Sequence, residues 1–199
     1  MITEQVVAFL LFAVVAAVTP GPSNIMLTAV GAHAGVRKGL QCLSGVATGV
    51  GAMMFLVPLG LGTLILQHPL VLKILNWGGA AGLLCLSWNI ATSSTHIDSV
   101  SAQAPVGYLT AALFQWVNPK AWLVSASAAG TFLRSGAGSP VVQAASLGGL
   151  FVLAALPSGF LWLAFGASFH QVLRGPRRLR IFNACMGALL VLSIALIIW

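Results

Sequence analysis

The sequence predicts an all-α integral membrane protein. Its expected form is six transmembrane helices in two inverted three-helix repeats, with the first and fourth helices broken. Three observations carry that expectation. First, the chain of 199 residues is 59% hydrophobic and only 6% charged, with a mean hydropathy of +1.01. A soluble domain carries about 25% charged residues, so this chain lacks the polar groups to cover a water-facing surface. Second, long apolar runs alternate with short turn-rich or basic connections. Third, two of the runs are interrupted by proline, roughly half a chain apart.

The apolar runs are roughly 3–34, 39–66, 70–91, 106–132, 141–169 and 181–199, each near or above the ~20 residues that cross a hydrocarbon core. Between them lie VRKG, QHPL, SSTHIDSVSAQAP, RSGAGSP and RGPRRLR, with the loop character of turn-forming residues. The polar linker, about 93–105, divides a single transmembrane transporter domain, 1–199, into repeat one, about 1–92, and repeat two, about 106–199. Met1–Gln5 supplies Glu4 but no basic residue, so the first run is expected to stay in the mature protein rather than be cleaved as a signal peptide.

Basic residues orient the spans. Arg37, Lys38, Arg174, Arg177, Arg178 and Arg180 follow the odd-numbered runs, whereas Lys73 and Arg134 lie on the opposite side. The odd-numbered loops are therefore expected in the cytoplasm and both termini outside. The third loop holds no Lys or Arg, so this orientation rests on the first and last loops. The net charge of +7 is read in the same way. No basic stripe is interleaved with aromatics, which argues against nucleic acid as a partner.

In the first run, TPGPSN at 19–24 breaks the helix. Proline removes backbone donors and glycine admits unusual dihedrals, so carbonyls and N–H groups come free within the membrane. Such groups are tolerated there only when buried in protein or facing a wet cavity. The helix restarting near Ser23 offers the positive end of its dipole, a place suited to a carboxylate. Thr19, Ser23 and Asn24 add short polar side chains, which serve equally as local caps. With Pro20, Gly21 and Pro22 they are candidate substrate-binding residues.

Gly31/Gly35/Gly39, Gly45/Gly49 and Gly78/Gly82 have the spacing that lets membrane helices approach closely. That spacing suits packing within one chain or between copies in a homo-oligomer. The fourth run carries the second break, Asn118-Pro119-Lys120, with Pro119 placed to correspond to Pro20. Lys120 is the one unambiguous charge deep within a span. At 1.5 Å per residue it lies roughly 20 Å from either end, too far for one side chain to snorkel. An intramembrane lysine is a functional candidate by default. It could pair with a substrate carboxylate, lose its proton during the cycle, or be satisfied by carbonyls of the broken helices. Gln115 and Asn118 offer donors and acceptors beside it, and Trp116 and Trp122 flank it. The remaining tryptophans, Trp162 among them, read as interfacial or core residues.

No Asp or Glu falls within a span; the two acids are Glu4 and Asp98. The buried carboxylate often used by proton-coupled carriers is therefore missing, and the histidines read as interfacial. Cys42, Cys85 and Cys185 have neither disulfide nor metal-ligand spacing. HExxH, GxSxG, Walker A and paired carboxylates are all absent, so no metal is expected and an enzyme is disfavoured.

The stretch VTPGPSNIMLTAVGAHAGVRKGLQCLSGVATG resembles the signature of the LysE/RhtB family of bacterial amino-acid exporters. FQWVNPKAW resembles that family's second motif. TPGPSN is similar to the neutral amino-acid branch, and LNWGGAAGLLCLSWNIATSS to its cysteine/O-acetylserine exporters. The resemblance implies a multi-pass protein of the bacterial inner membrane that exports small neutral amino acids or derivatives. It would be driven by an ion gradient, with the proton as the expected coupling ion, and would need no ATP or cofactor. Carried over residue by residue, the motifs point to Pro20, Gly21, Pro22, Asn24, Asn118, Pro119 and Lys120. The alternative from another class is a passive channel, or a membrane subunit that modulates a partner; a channel needs a continuous wet pore.

Overall fold

A computed structural model describes residues 3–62, 64, 67–91, 106–134, 138–172 and 176–198. Among them the regular structure is entirely helical: α1 (Thr3–Val18), α2 (Pro22–Leu56) ending in a π-helical turn (Val57–Leu61), α3 (Pro69–Ala91), α4 (Tyr108–Val117), α5 (Pro119–Phe132), α6 (Pro140–Val172) and α7 (Pro176–Ile198). The linker 93–105 lies outside the described residues. Two helices, Pro22–Leu61 and Pro140–Ser168, are each long and apolar enough to cross a bilayer, with mean hydropathies of 1.8 and 1.9. The breaks cut the first and fourth apolar runs into shorter pieces. α1 has 16 residues, α4 has 10 and α5 has 14, each below the ~20 needed to span alone.

α2 is not a single rod. Gly35 adopts φ 74° and ψ 175°, a region that L side chains avoid, and the chain turns there, just before Arg37 and Lys38. Both breaks restart on a proline in the first helical turn, Pro22 in one and Pro119 in the other. A proline is cheap there because its missing N–H would have no intrahelical partner. The residue matching Pro119 is thus Pro22 rather than Pro20, which stands exposed in the connecting stretch.

Glycine sets how closely the helices pack. A Cβ on Gly31 would lie 2.1 Å from the Leu163 carbonyl oxygen, and one on Gly166 2.0 Å from that of Thr28. α2 and α6 therefore cross backbone to backbone. Farther along, a Cβ on Gly45 would meet the Tyr108 carbonyl at 2.2 Å and one on Gly49 the Ala112 carbonyl at 2.7 Å, which seats α4 against α2. These glycines serve packing within the chain. A Cβ on Gly78, by contrast, would meet none of the described residues within 4 Å.

Two apolar clusters fill the interior. One gathers Phe9, Ala13, Met53, Met54, Leu147 and Phe151 where α1 begins, α2 ends and α6 begins. The other gathers Met26, Leu27, Val30, Cys42, Leu43 and Leu163 toward the Gly35 turn. The outward surface is apolar as well: Leu11, Val15, Leu109, Leu123, Leu153 and Leu161 are all exposed. A continuous apolar exterior of this kind marks a membrane-embedded protein.

Candidate functional site

A helix that stops inside a bundle leaves its last carbonyls without intrahelical partners. At the end of α1 the Thr19 hydroxyl and side chains from three other helices supply them. The Thr19 hydroxyl turns back to the Val15 carbonyl (2.6 Å). The Asn24 side-chain amide donates to the carbonyls of Ala17 (3.0 Å) and Thr19 (2.8 Å), so the restarted helix ties down the one it follows. The Trp162 indole N–H, from α6, donates to the Val18 carbonyl (3.1 Å). The Lys120 ammonium, from the second break, donates to the Thr19 carbonyl. The two breaks are thereby joined.

A second set of bonds joins them from the other side. Ser23 donates to Gln115 Oε1 (2.8 Å), and the Asn118 side-chain amide donates to Ser23 Oγ (2.9 Å) and to Gln115 Oε1 (3.2 Å). Gln115 in turn donates to the Ala111 carbonyl (2.9 Å), and Asn118 Oδ1 caps α5 by accepting from the Lys120 backbone N–H (3.1 Å). Gln115 and Asn118 are buried. Each polar atom of this triad is satisfied, as a buried network requires.

Around these groups lies a small, partly open pocket of about 50 Å³. Its polar side consists of Gly21, Ser23, Asn24, Gln115, Asn118 and Lys120. Its apolar side includes Leu27, Val46, Val50, Phe151 and Ala155. Six of the ten residues singled out in the sequence therefore line one pocket. The other four lie beside it: Thr19 supplies a carbonyl, Pro20 is exposed, and Pro22 and Pro119 open the restarted helices. The missing side chain of Gly21 leaves room for the lysine, since a Cβ there would come within 2.8 Å of Lys120 Cδ.

Charge is unbalanced in this pocket. Among the described residues, the one hydrogen-bond partner of the Lys120 ammonium is the Thr19 carbonyl, whereas an ammonium has three N–H groups to place. Among the described residues, no carboxylate lines the pocket. The site presents a positive charge next to the positive end of the α2 dipole.

Trp116 and Trp122 do not line the pocket. Their rings meet edge to face at 6.2 Å, and the Trp122 indole donates to the Trp116 carbonyl (2.8 Å), so they brace the second break from outside. Trp162 is the residue that sequence reading missed. One indole among several in apolar runs gives no local sign that it closes a break 144 residues away. His33, read as interfacial, donates to Oδ1 of the buried Asn183 on α7 (3.0 Å).

The LysE type translocator family matches residues 14–198. Over 171 residues the chain is 32% identical to the cysteine/O-acetylserine efflux protein of Escherichia coli (strain K12), covering 84% of this chain and 85% of that protein. It is 34% identical over 172 residues to the protein of the same name from Salmonella choleraesuis (strain SC-B67), with the same coverage. No solved structure matches it. With the family match running from within α1 to the end of α7, the chain belongs to the LysE-type translocators, and is a membrane transporter rather than an enzyme.

Proposed function

We propose that this protein is a secondary-active exporter of small neutral amino acids or close derivatives. In this reading it works by alternating access around the pocket between the two helix breaks. The observation that carries the reading is the Lys120 ammonium, held by a neutral carbonyl and facing a pocket whose described lining holds no carboxylate. Every amino acid brings a carboxylate, which is costly to desolvate without a partner. Lys120 and the start of α2 supply that partner together. The relatives named for cysteine and O-acetylserine efflux support a small, neutral side chain facing the apolar wall.

The apolar clusters on either side of the pocket support a carrier rather than a channel. The pocket shares Val50 and Phe151 with one cluster and Leu27 and Val46 with the other, and a carrier needs a barrier on each side of its site. The test is transport by the purified chain in liposomes loaded with O-acetylserine. Saturable efflux, accelerated by an opposing pH gradient and by the same amino acid outside, is the expected result. Efflux that rises linearly with concentration would identify a channel instead, and no efflux of O-acetylserine, cysteine or serine would remove the amino-acid reading.

The same proposal places the chain in the bacterial inner membrane with six crossings, both termini in the periplasm, and an inverted two-fold relating about 1–92 to 106–199. The matched prolines Pro22 and Pro119 and the basic residues near the Gly35 turn support it. A reporter active only in the periplasm should work when fused after Trp199 and stay silent when fused near Arg178. The reverse pattern would overturn the orientation.

A further inference from the structure

Ser125 of α5 is 0% exposed, and its hydroxyl has no hydrogen-bond partner among the described residues. A helical serine ordinarily has an easy remedy, the carbonyl four residues earlier. Ser44, Thr48, Ser146 and Ser168 all use it, at 2.8–2.9 Å. Ser125 does not turn onto the Ala121 carbonyl in this way. A buried, unpaired hydroxyl is destabilising, and alanine would pack in the same space with better helix propensity. Stability therefore does not account for a serine here.

Its position supplies a reason. Ala121, Ser125 and Ala128 follow the spacing of one helix face. Ala121 and Ala128 belong to the cluster of Phe9, Met53 and Phe151, while Ala121 and Val124 also line the pocket. Ser125 thus stands about 6 Å, one helical turn, along α5 from Ala121 and next to Val124, at the edge of the pocket lining. Farther along α5 the Phe132 ring meets Phe9 of α1 edge to face at 5.1 Å.

We propose that Ser125 lies on the translocation route out of the pocket. Its hydroxyl hydrogen-bonds the solute, or the water that travels with it, when the Phe9–Met53–Phe151 cluster parts. In the packed arrangement the buried hydroxyl has no protein partner among the described residues, which disfavours that arrangement and lowers the cost of opening. The proposal rests on the export reading above and assigns a solute-contacting residue on one side of the site.

The test keeps the two readings apart. A chain with Cys42, Cys85 and Cys185 replaced by alanine is first assayed for O-acetylserine efflux in liposomes; if both it and the native chain are inactive, the export reading itself fails. In an active cysteine-free chain, Ser125→Cys is expected to react severalfold faster with a charged methanethiosulfonate during O-acetylserine efflux than without it. Ser125→Ala, in the native chain, should melt in detergent at the native temperature or above, yet export about 3–10-fold more slowly, the factor lost with one hydrogen bond. A thiol that stays inert during turnover would overturn the proposal, as would native efflux from Ser125→Ala. A clear fall in the melting temperature of Ser125→Ala would also overturn it, because the hydroxyl would then have a structural partner.

Discussion

Lys120→Met is expected to abolish export while leaving the protein folded and in the membrane. The fold should survive because the Thr19 carbonyl, which loses the ammonium, keeps its bond from the Asn24 amide at 2.8 Å. The Ser23–Gln115–Asn118 triad does not use the lysine side chain at all. Binding should not survive, because a hydrogen bond to a charged group contributes about 1.5–3 kcal/mol, which at its upper end is about two orders of magnitude in affinity. Lys120→Arg should recover little. The guanidinium is planar and larger than an ammonium, and the lysine stem already lies where a Cβ on Gly21 would come within 2.8 Å. Initial efflux rates at matched membrane abundance decide the matter. Native rates from Lys120→Met would make the lysine a structural tie between the breaks and move the carboxylate site elsewhere.

Gly166→Ala is expected to remove most of the folded protein. Its Cβ would sit 2.0 Å from the Thr28 carbonyl oxygen and 2.7 Å from the carbonyl carbon. Overpacking a core costs about 1–3 kcal/mol when side chains can shift, and here the obstacle is backbone. Gly31→Ala, on the same crossing and 2.1 Å from the Leu163 carbonyl oxygen, should behave alike. Gly78→Ala is the internal control, since none of the described residues lies within 4 Å of its new methyl and alanine improves a helix by about 1 kcal/mol over glycine. Size-exclusion recovery from detergent should separate the first two from the third. Recovery of Gly166→Ala at the native level would mean that α2 and α6 cross less tightly than described. The consequence would reach the site, because this crossing sets Leu27 against Gly159, both in the pocket lining, and Thr28 against Trp162.

Much of this molecule was legible in the chain before any folding was considered. Apolar runs of span length, the basic turn after Gly35, the prolines in two of the runs and a lysine beside the second of these breaks are all local features. Their physics is local as well: hydropathy selects the membrane, proline ends a helix, and a buried charge needs a reason. Six of the ten residues picked on these grounds line a single pocket. Even the slip from Pro20 to Pro22 was a matter of two residues, because either proline could have opened the restarted helix and only the backbone path decides between them.

What the sequence could not determine is which groups answer the breaks. A freed carbonyl accepts from any donor that the fold brings within about 3 Å, and nothing near Thr19 or Val18 foretells that the donors are Lys120 and Trp162. The same holds for Ser23, whose partners Gln115 and Asn118 lie more than ninety residues away, and for Ser125, whose lack of a partner is a property of the packed core alone. Hydropathy and helix breaking act over a few residues and are written where they act. Hydrogen-bond satisfaction in a membrane interior is decided between helices, so only the tertiary structure could assign it.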